Sequence, residues 1–157
     1  MRIGLISDTH GLLRPEAVAA LQGVDTILHA GDIGDLSILI ELKKITPVQA
    51  VLGNNDHPSD WPGVPFVWRQ RYEEIELLMI HNIADLRPEM LSPVPTLIVH
   101  GHSHKPSWTV RDGIPTLNPG AAGHKRFNLP ISVAILEVTG GDYKVAFINL
   151  LDDRELL

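Results

Sequence analysis

The chain has 157 residues, of which 44% are hydrophobic and 20% are charged, and its formal net charge is -6. This composition excludes a disordered or fibrous protein, and the length fits one domain over residues 1–157. The absence of cysteine excludes disulfides, thiolate zinc sites and thiol catalysis. An acidic balance argues against binding to nucleic-acid polymers, which usually requires a basic face. No apolar run approaches the roughly 20 residues that span a membrane, and the first residues do not resemble a signal peptide, so a cytoplasmic location is expected.

The first half of the chain alternates between apolar strands and amphipathic helices. Strands are predicted over residues 2–7, 24–30 and 48–52, with helices that begin at Pro15 and after Asp35. The predicted buried stripes are Ala17, Val18 and Leu21 in the first helix and Leu36, Leu39 and Ile40 in the second. Such alternation predicts a parallel sheet with functional residues at the carboxyl ends of its strands.

The second half is richer in strands. They are predicted over residues 66–72, 75–80, 97–99, 107–110, 115–117, 131–138 and 143–150. The last two form a hairpin through Gly140, Gly141 and Asp142, and a short helix limited by Pro88 is predicted within residues 84–91. The two halves together predict an α/β fold, a four-layer αββα sandwich of two mixed β-sheets flanked by helices.

Two histidines follow the apolar strand 97–99 and a glycine. On an extended backbone, side chains two residues apart lie on the same side, so His102 and His104 are expected to converge on one divalent metal ion. Asp8 and His10 repeat this spacing after the first strand. Taken alone, a polar loop that merely contains histidine explains the His102 and His104 pair equally well.

Seven side chains that can bind a metal follow predicted strands. They are Asp8, His10, Asp32, Asn54, His81, His102 and His104. Each one singly has an ordinary explanation as a turn former, a helix cap or a core histidine. Together, two carboxylates, one amide and four imidazoles can form two adjoining sites if one carboxylate bridges. A sulfur-free set of this kind suits Mn, Fe, Zn, Co or Ni better than Ca or Mg.

The order of these motifs resembles that of the calcineurin-like metallophosphoesterases. Within that superfamily the chain is similar to the small branch of bacterial and archaeal phosphodiesterases, which the retromer subunit Vps29 also resembles. The motifs that carry the resemblance are Asp8-x-His10, Gly31-Asp32, Gly53-Asn54-Asn55-Asp56, His81 and Gly101-His102-x-His104.

The resemblance implies a dinuclear centre, most readily with Mn. One ion would be held by Asp8, His10, Asp32 and His104, and Asp32 would bridge to a second ion held by Asn54, His81 and His102. A metal-bridging hydroxide would attack the phosphorus of a small phosphodiester, with Asp32, Asn54 and His81 as the catalytic residues. Active relatives often carry a proton-donating His in place of Asn55, and Asn cannot deliver a proton.

Two classes of function remain open. The first is a metal-dependent phosphodiesterase that acts on small phosphorylated substrates. The second is a Vps29-like interaction scaffold with a vestigial metal pocket, although such a scaffold is expected to have lost site histidines that remain here. His29 is assigned to packing or support, and His57, His124 and Arg126 to solvated loops. The sequence leaves the oligomeric state open, a homo-oligomer included.

Overall fold

Two mixed five-stranded β-sheets packed face to face form the protein, as seen in a computed structural model that describes residues 1–157. The strands are β1 (Arg2–Ile6), β2 (Thr26–His29), β3 (Val48–Ala50), β4 (Val67–Tyr72), β5 (Ile75–Ile80), β6 (Leu97–Val99), β7 (Ser107–Arg111), β8 (Ile114–Asn118), β9 (Ser132–Thr139) and β10 (Asp142–Asn149). The helices are α1 (Pro15–Ala20) and α2 (Leu36–Lys43), and short 3₁₀ turns span Pro58–Asp60, Ile83–Asp85 and Pro88–Leu91. Every predicted strand is present, with ends that differ by at most two residues.

The strand order places the carboxyl ends of the parallel strands of each sheet at one edge. The first sheet has the order β10-β9-β1-β2-β3 and the second the order β4-β5-β6-β8-β7. Strands β1, β2 and β3 are parallel, as are β5, β6 and β8, while β4, β7, β9 and β10 pair antiparallel with their neighbours. The loops that follow β1, β2 and β3 therefore meet at one end of the first sheet.

One of the two large apolar clusters lies between the two sheets. Ile3 and Leu5 of β1 are fully buried there and belong to the same apolar cluster as Leu77 and Val99 of the second sheet. Burial of each such side chain stabilises the fold by about 1.5–3 kcal/mol. Gly4, between Ile3 and Leu5, faces α1 instead, where a Cβ would lie 2.6 Å from Leu21 Cδ2. Successive residues of β1 therefore face opposite sides of the first sheet, towards the second sheet and towards α1 in turn.

The outer faces of the two sheets are covered differently. Helices α1 and α2 contribute to an apolar cluster on the first sheet, whereas only the 3₁₀ turns Ile83–Asp85 and Pro88–Leu91 pack against the second. The predicted four-layer sandwich is confirmed, but a helix within residues 84–91 is wrong. Leu86 and Arg87 adopt extended backbone, and for Arg87 the reason is that the ring of Pro88 disfavours helical geometry in the residue before it.

The predicted buried face of α2 is correct at Leu39 but wrong at Leu36 and Ile40. Ile38, Leu39 and Leu42 are buried, whereas Leu36 is 51% and Ile40 is 59% exposed. Because apolar residues occupy many positions of this helix, the 3.6-residue period fits both the predicted stripe and the observed one. Packing on the sheet buries the observed stripe. No helix of the structure is long and apolar enough to cross a membrane. The single domain over residues 1–157 stays a prediction.

Candidate metal centre

The structure brings all seven predicted side chains together at the edge where the two sheets meet. They come from the loops after β1, β2, β3, β5 and β6, and they are Asp8, His10, Asp32, Asn54, His81, His102 and His104. Their role as metal ligands stays a prediction, and the distances between them provide its physical test.

One group of donors surrounds Asp8. Its Oδ1 atom lies 3.7 Å from His10 Nε2 and 3.4 Å from His104 Nε2. His10 Nε2 is in turn 3.5 Å from Asp32 Oδ2. The donor atoms of Asp8, His10 and His104 all lie within 4.8 Å of one another. Three residues of two loops, with Asp32 beside them, therefore face one point.

A second group lies on the other side of Asp32. Asp32 Oδ2 is 3.4 Å from His81 Nε2, and Asn54 Oδ1 is 3.1 Å from the same imidazole nitrogen and 3.2 Å from His102 Nδ1. His81 Nδ1 donates to the Ala30 carbonyl at 2.7 Å, so the neutral ring presents the lone pair of Nε2 to the site. Asp32 thus faces histidines of both groups with a single oxygen atom.

The two groups fit divalent metal ions. Asp8 Oδ1 and His10 Nε2 are buried and have no hydrogen-bond partner, an arrangement that normally costs free energy. Metal–ligand distances of about 2.1 Å place neighbouring donors of one ion about 3.4 Å apart, close to the separations observed. Carboxylate, amide and imidazole donors without sulfur suit borderline transition metals.

Electrostatics keep the two carboxylates ionised. Burial raises the pKa of Asp8, but the neighbouring imidazoles of His10, His104 and His81 and the hydroxyl of Ser7 outweigh it and hold that pKa well below its usual range. The pKa of Asp32 is likewise lowered, because His81 and Asn55 outweigh the effect of burial. For His81, burial lowers the pKa but Asp32 and Asp8 raise it further, so the net shift is upward. The site is therefore anionic and attracts cations.

His29 supports the site without entering it. It is fully buried. Its Nδ1 accepts from the Gly31 N–H at 3.1 Å, and its Nε2 lies 3.0 Å from Thr9 Oγ1, which donates to the Ile33 carbonyl at 2.8 Å. Nε2 therefore carries the proton of a neutral ring, and burial lowers the pKa to about 4. The supporting role assigned to His29 agrees with these contacts.

Asp56 is a supporting residue to which the sequence analysis gave no role. Its buried carboxylate accepts hydrogen bonds from the backbone N–H groups of Ile33, Gly34 and Gly53 at 2.9–3.2 Å. These bonds join the loop that carries Asp32 to the loop that carries Asn54. Its place at the end of the Gly53–Asp56 motif was the available indication, since Asp commonly bonds backbone amides in turns.

The backbone of the ligand loops is left-handed rather than extended. The φ angles of Asp8, His10, Asp32, His102 and His104 lie between 46° and 73°, so convergence on an extended backbone is wrong as an explanation. Gly101 permits the loops to approach each other, since a Cβ there would lie 2.1 Å from Ser7 Oγ. The residues converge because their loops turn sharply at the ends of the strands.

Of the two groups, the second is the more exposed and forms the open half of the site. Asp8, Asp32, His81 and His104 are buried, whereas Asn54 and His102 are exposed to solvent. Asn55 lies beside them and donates to Asp32 through its backbone N–H at 2.9 Å and its Nδ2 at 3.0 Å. The remaining loop residues singled out from the sequence lie exposed, as expected: His57, His124 and Arg126.

Comparisons with known proteins agree with the motifs. The model of the calcineurin-like phosphoesterase superfamily domain matches residues 1–141. A probable metallophosphoesterase of Methanothermobacter thermautotrophicus is 36% identical, with 89% of this chain and 87% of that protein covered. An archaeal phosphodiesterase structure covers 94% of this chain and 100% of its own at 21% identity and a TM-score of 0.75. Chaetomium thermophilum Vps29 covers 94% of each chain at 16% identity and a TM-score of 0.76. The last two likenesses concern the fold.

Proposed function

The chain belongs to the calcineurin-like phosphoesterase superfamily, and we propose that it is a phosphodiesterase that hydrolyses small phosphodiesters with two divalent metal ions. The observation that carries this proposal is the position of Asp32 Oδ2, 3.5 Å from His10 Nε2 and 3.4 Å from His81 Nε2. One carboxylate oxygen between two sets of donors is the arrangement that a bridging ligand needs.

Each half of the site has a separate task in this proposal. Asp8, His10 and His104 would hold one ion together with Asp32, and Asn54, His81 and His102 would hold the other together with Asp32. Two bound ions would supply the chemistry of acidifying a water molecule and neutralising the charge that develops on phosphoryl oxygens. Manganese is the proposed ion, because a mixed oxygen and imidazole donor set accommodates it.

The exposed side of the site is the side on which substrate binds. Asn54 and His102 are open to solvent, so a phosphodiester can approach the second group without displacing the buried loop. The side chain of Asn55 donates to Asp32 and has no proton to give to a leaving group. We therefore propose that leaving groups depart largely unprotonated, and that esters of acidic alcohols and phenols are the better substrates. We further place this chemistry in the cytoplasm.

A Vps29-like scaffold is the alternative function. The fold does not separate the two, because an archaeal phosphodiesterase and a fungal Vps29 both share it. The donor set favours the enzyme. All four site histidines are present, and buried atoms such as Asp8 Oδ1 point into the site without a hydrogen-bond partner. A scaffold would gain stability by replacing such groups with apolar ones.

The test is reconstitution with Mn²⁺ followed by elemental analysis and hydrolysis of bis(p-nitrophenyl) phosphate. The expected result is two ions per chain and turnover that a chelator abolishes and added Mn²⁺ restores. One ion with turnover would contradict the dinuclear arrangement alone. Neither bound ions nor turnover at saturating Mn²⁺ would contradict the enzyme and favour the scaffold.

A further inference from the structure

An apolar cavity of about 360 Å³ opens beside the exposed half of the site. Asn54 and His81 form one of its walls, so it is continuous with the proposed metal centre. Its volume lies within the range of about 300–1,000 Å³ that is typical of small-molecule pockets. A phosphate group bound at the centre would place one of its substituents at the mouth of this cavity.

The lining of the cavity is chemically distinct from the metal centre. Leu52, Val67 and Ile80 contribute apolar walls, and Phe66 and Met90 add a ring and a thioether. Phe66 is 59% exposed although it is large and apolar. An exposed apolar side chain at the entrance of a pocket is typical of a ligand-binding site, because an apolar ligand group can cover it.

The charged residues of the cavity offset each other. Asp85 and Arg87 both lie on the short segment over the outer face of the second sheet, and both are exposed. One negative and one positive charge give this rim no net preference for an ion of either sign. The cavity therefore suits an uncharged group, while the metal centre attracts the phosphate.

We infer that this cavity, the ester pocket, binds an organic substituent of the substrate. It selects phosphodiesters that carry an uncharged apolar group of ring size, aryl or alicyclic, over those with small alkyl groups. This inference rests on the proposed function, because the metal centre must hold the phosphate for the pocket to receive its substituent.

The test compares methylphosphonate with phenylphosphonate by calorimetric titration of the Mn²⁺-loaded protein, at a pH at which both are dianions. The two ligands share their head group and differ only in the substituent, and neither carries an ester to hydrolyse. Burial of the ring in the ester pocket should make phenylphosphonate bind at least about tenfold more tightly.

Two variants act on the pocket in opposite ways. Phe66→Ala removes part of the wall and Met90→Trp fills the space, and both should reduce the preference for phenylphosphonate to about threefold or less. Neither residue belongs to the proposed metal ligands. Ile40→Ala is the matched control, because Ile40 is also 59% exposed but lies on α2, outside the pocket. This control should keep the wild-type preference.

The outcomes separate the pocket from the proposed function. Equal binding of both ligands by the wild type, or an unchanged preference in both variants, would overturn the ester pocket. If the same preparation hydrolyses bis(p-nitrophenyl) phosphate, the proposed function stands in that case. Binding of neither phosphonate, without turnover, would overturn the proposed function and this inference with it.

Discussion

The two halves of the proposed metal centre differ in how the protein holds them. In the buried half, Asp8 accepts from the Ser7 hydroxyl at 2.7 Å and from the His102 N–H at 3.1 Å. In the open half, Asn54 and His102 are exposed, and the hydrogen bonds of their side chains go to each other and to His81. The difference indicates a division of labour, in which one half is fixed in advance and the other stays accessible to substrate.

Substitution of the residue that joins the halves should have the largest effect. Asp32→Ala removes a donor from both groups, so kcat/KM should fall by about 10³-fold or more, or about 4 kcal/mol. No single His→Ala variant should lose as much. Diester hydrolysis by the Mn²⁺-loaded variants measures this, with the exposed Asp60→Ala as control. Equal losses in Asp32→Ala, His102→Ala and His104→Ala would contradict a bridge.

Removal of the ions should destabilise the protein. Each site occupied only in the folded state contributes about 2.7 kcal/mol when the free ion is a hundredfold above its Kd. For a chain of this length, each such site raises Tm by roughly 5–10 °C. Thermal unfolding with Mn²⁺ and with chelator measures the difference. A Tm that neither Mn²⁺ nor chelator changes would contradict metal binding by the folded protein and favour the scaffold.

The contribution of His29, which supports the buried half, to the free energy of unfolding should depend on pH. His29 has a pKa of about 4 in the folded protein against 6.5 ordinarily. Because the folded pKa is the lower one, its contribution to stability is complete above pH 6.5 and is lost as the pH falls towards 4. About 2 kcal/mol should disappear between pH 7 and pH 5.

Denaturant unfolding of the chelated protein and of His29→Gln at several pH values isolates this contribution. The glutamine amide can still donate to Thr9 but does not titrate, so the variant should lack the loss. The raised pKa of His81 acts with the opposite sign in both proteins, because it stabilises the fold at low pH and stops doing so as the pH rises. Identical pH profiles of the two proteins would show that the pKa of His29 does not differ between the folded and unfolded states.

A direct comparison of the two halves replaces one histidine of each half, His104 or His102, by alanine. The side chain of His104 is 6% exposed, whereas His102 is open to solvent. His104→Ala should raise the Kd of the tighter ion at least about tenfold more than His102→Ala does. Calorimetric titration with Mn²⁺ measures both constants. The reverse order would mean that the exposed half holds the tighter ion.

The smallest expected effect concerns Asn55. Its side chain donates one hydrogen bond to Asp32 and its backbone donates another, so Asn55→Ala should lower kcat/KM by only about fivefold. The factor should be the same for diesters with good and poor leaving groups, because Asn55 transfers no proton. Rates across aryl diesters of graded leaving-group pKa measure this. A loss confined to poor leaving groups would assign Asn55 a role in leaving-group departure.

Much of this architecture follows from local sequence patterns. Strand ends that carry Asp8, Asp32 and His81 are visible because apolar runs and polar clusters alternate. Which face of α2 is buried is not visible, since Leu36 and Leu42 fit the helical period equally well. The role of Asp56 is visible only in part, because two of its three backbone partners, Ile33 and Gly34, belong to a loop more than twenty residues away. The sequence carries no pattern for such backbone contacts.

The layer over the second sheet shows a similar limit. The apolar residues between Ile83 and Leu91 indicate a covering segment, and they do pack against the sheet. Periodicity cannot show that the segment forms two 3₁₀ turns with extended backbone between them. Steric restriction before Pro88 decides this, and it is a property of three-dimensional geometry rather than of hydrophobic pattern.

The left-handed backbone of the ligand loops implies a trade-off between stability and activity. Five non-glycine residues of the site have positive φ, and each costs the folded state about 1 kcal/mol or more relative to glycine. Drift towards glycine at these positions would stabilise the chain while deleting its donors. If the proposed activity is correct, selection for catalysis must act continuously to preserve them. A lineage released from that selection would lose the proposed metal centre before it lost the fold, so the same fold could survive with or without activity.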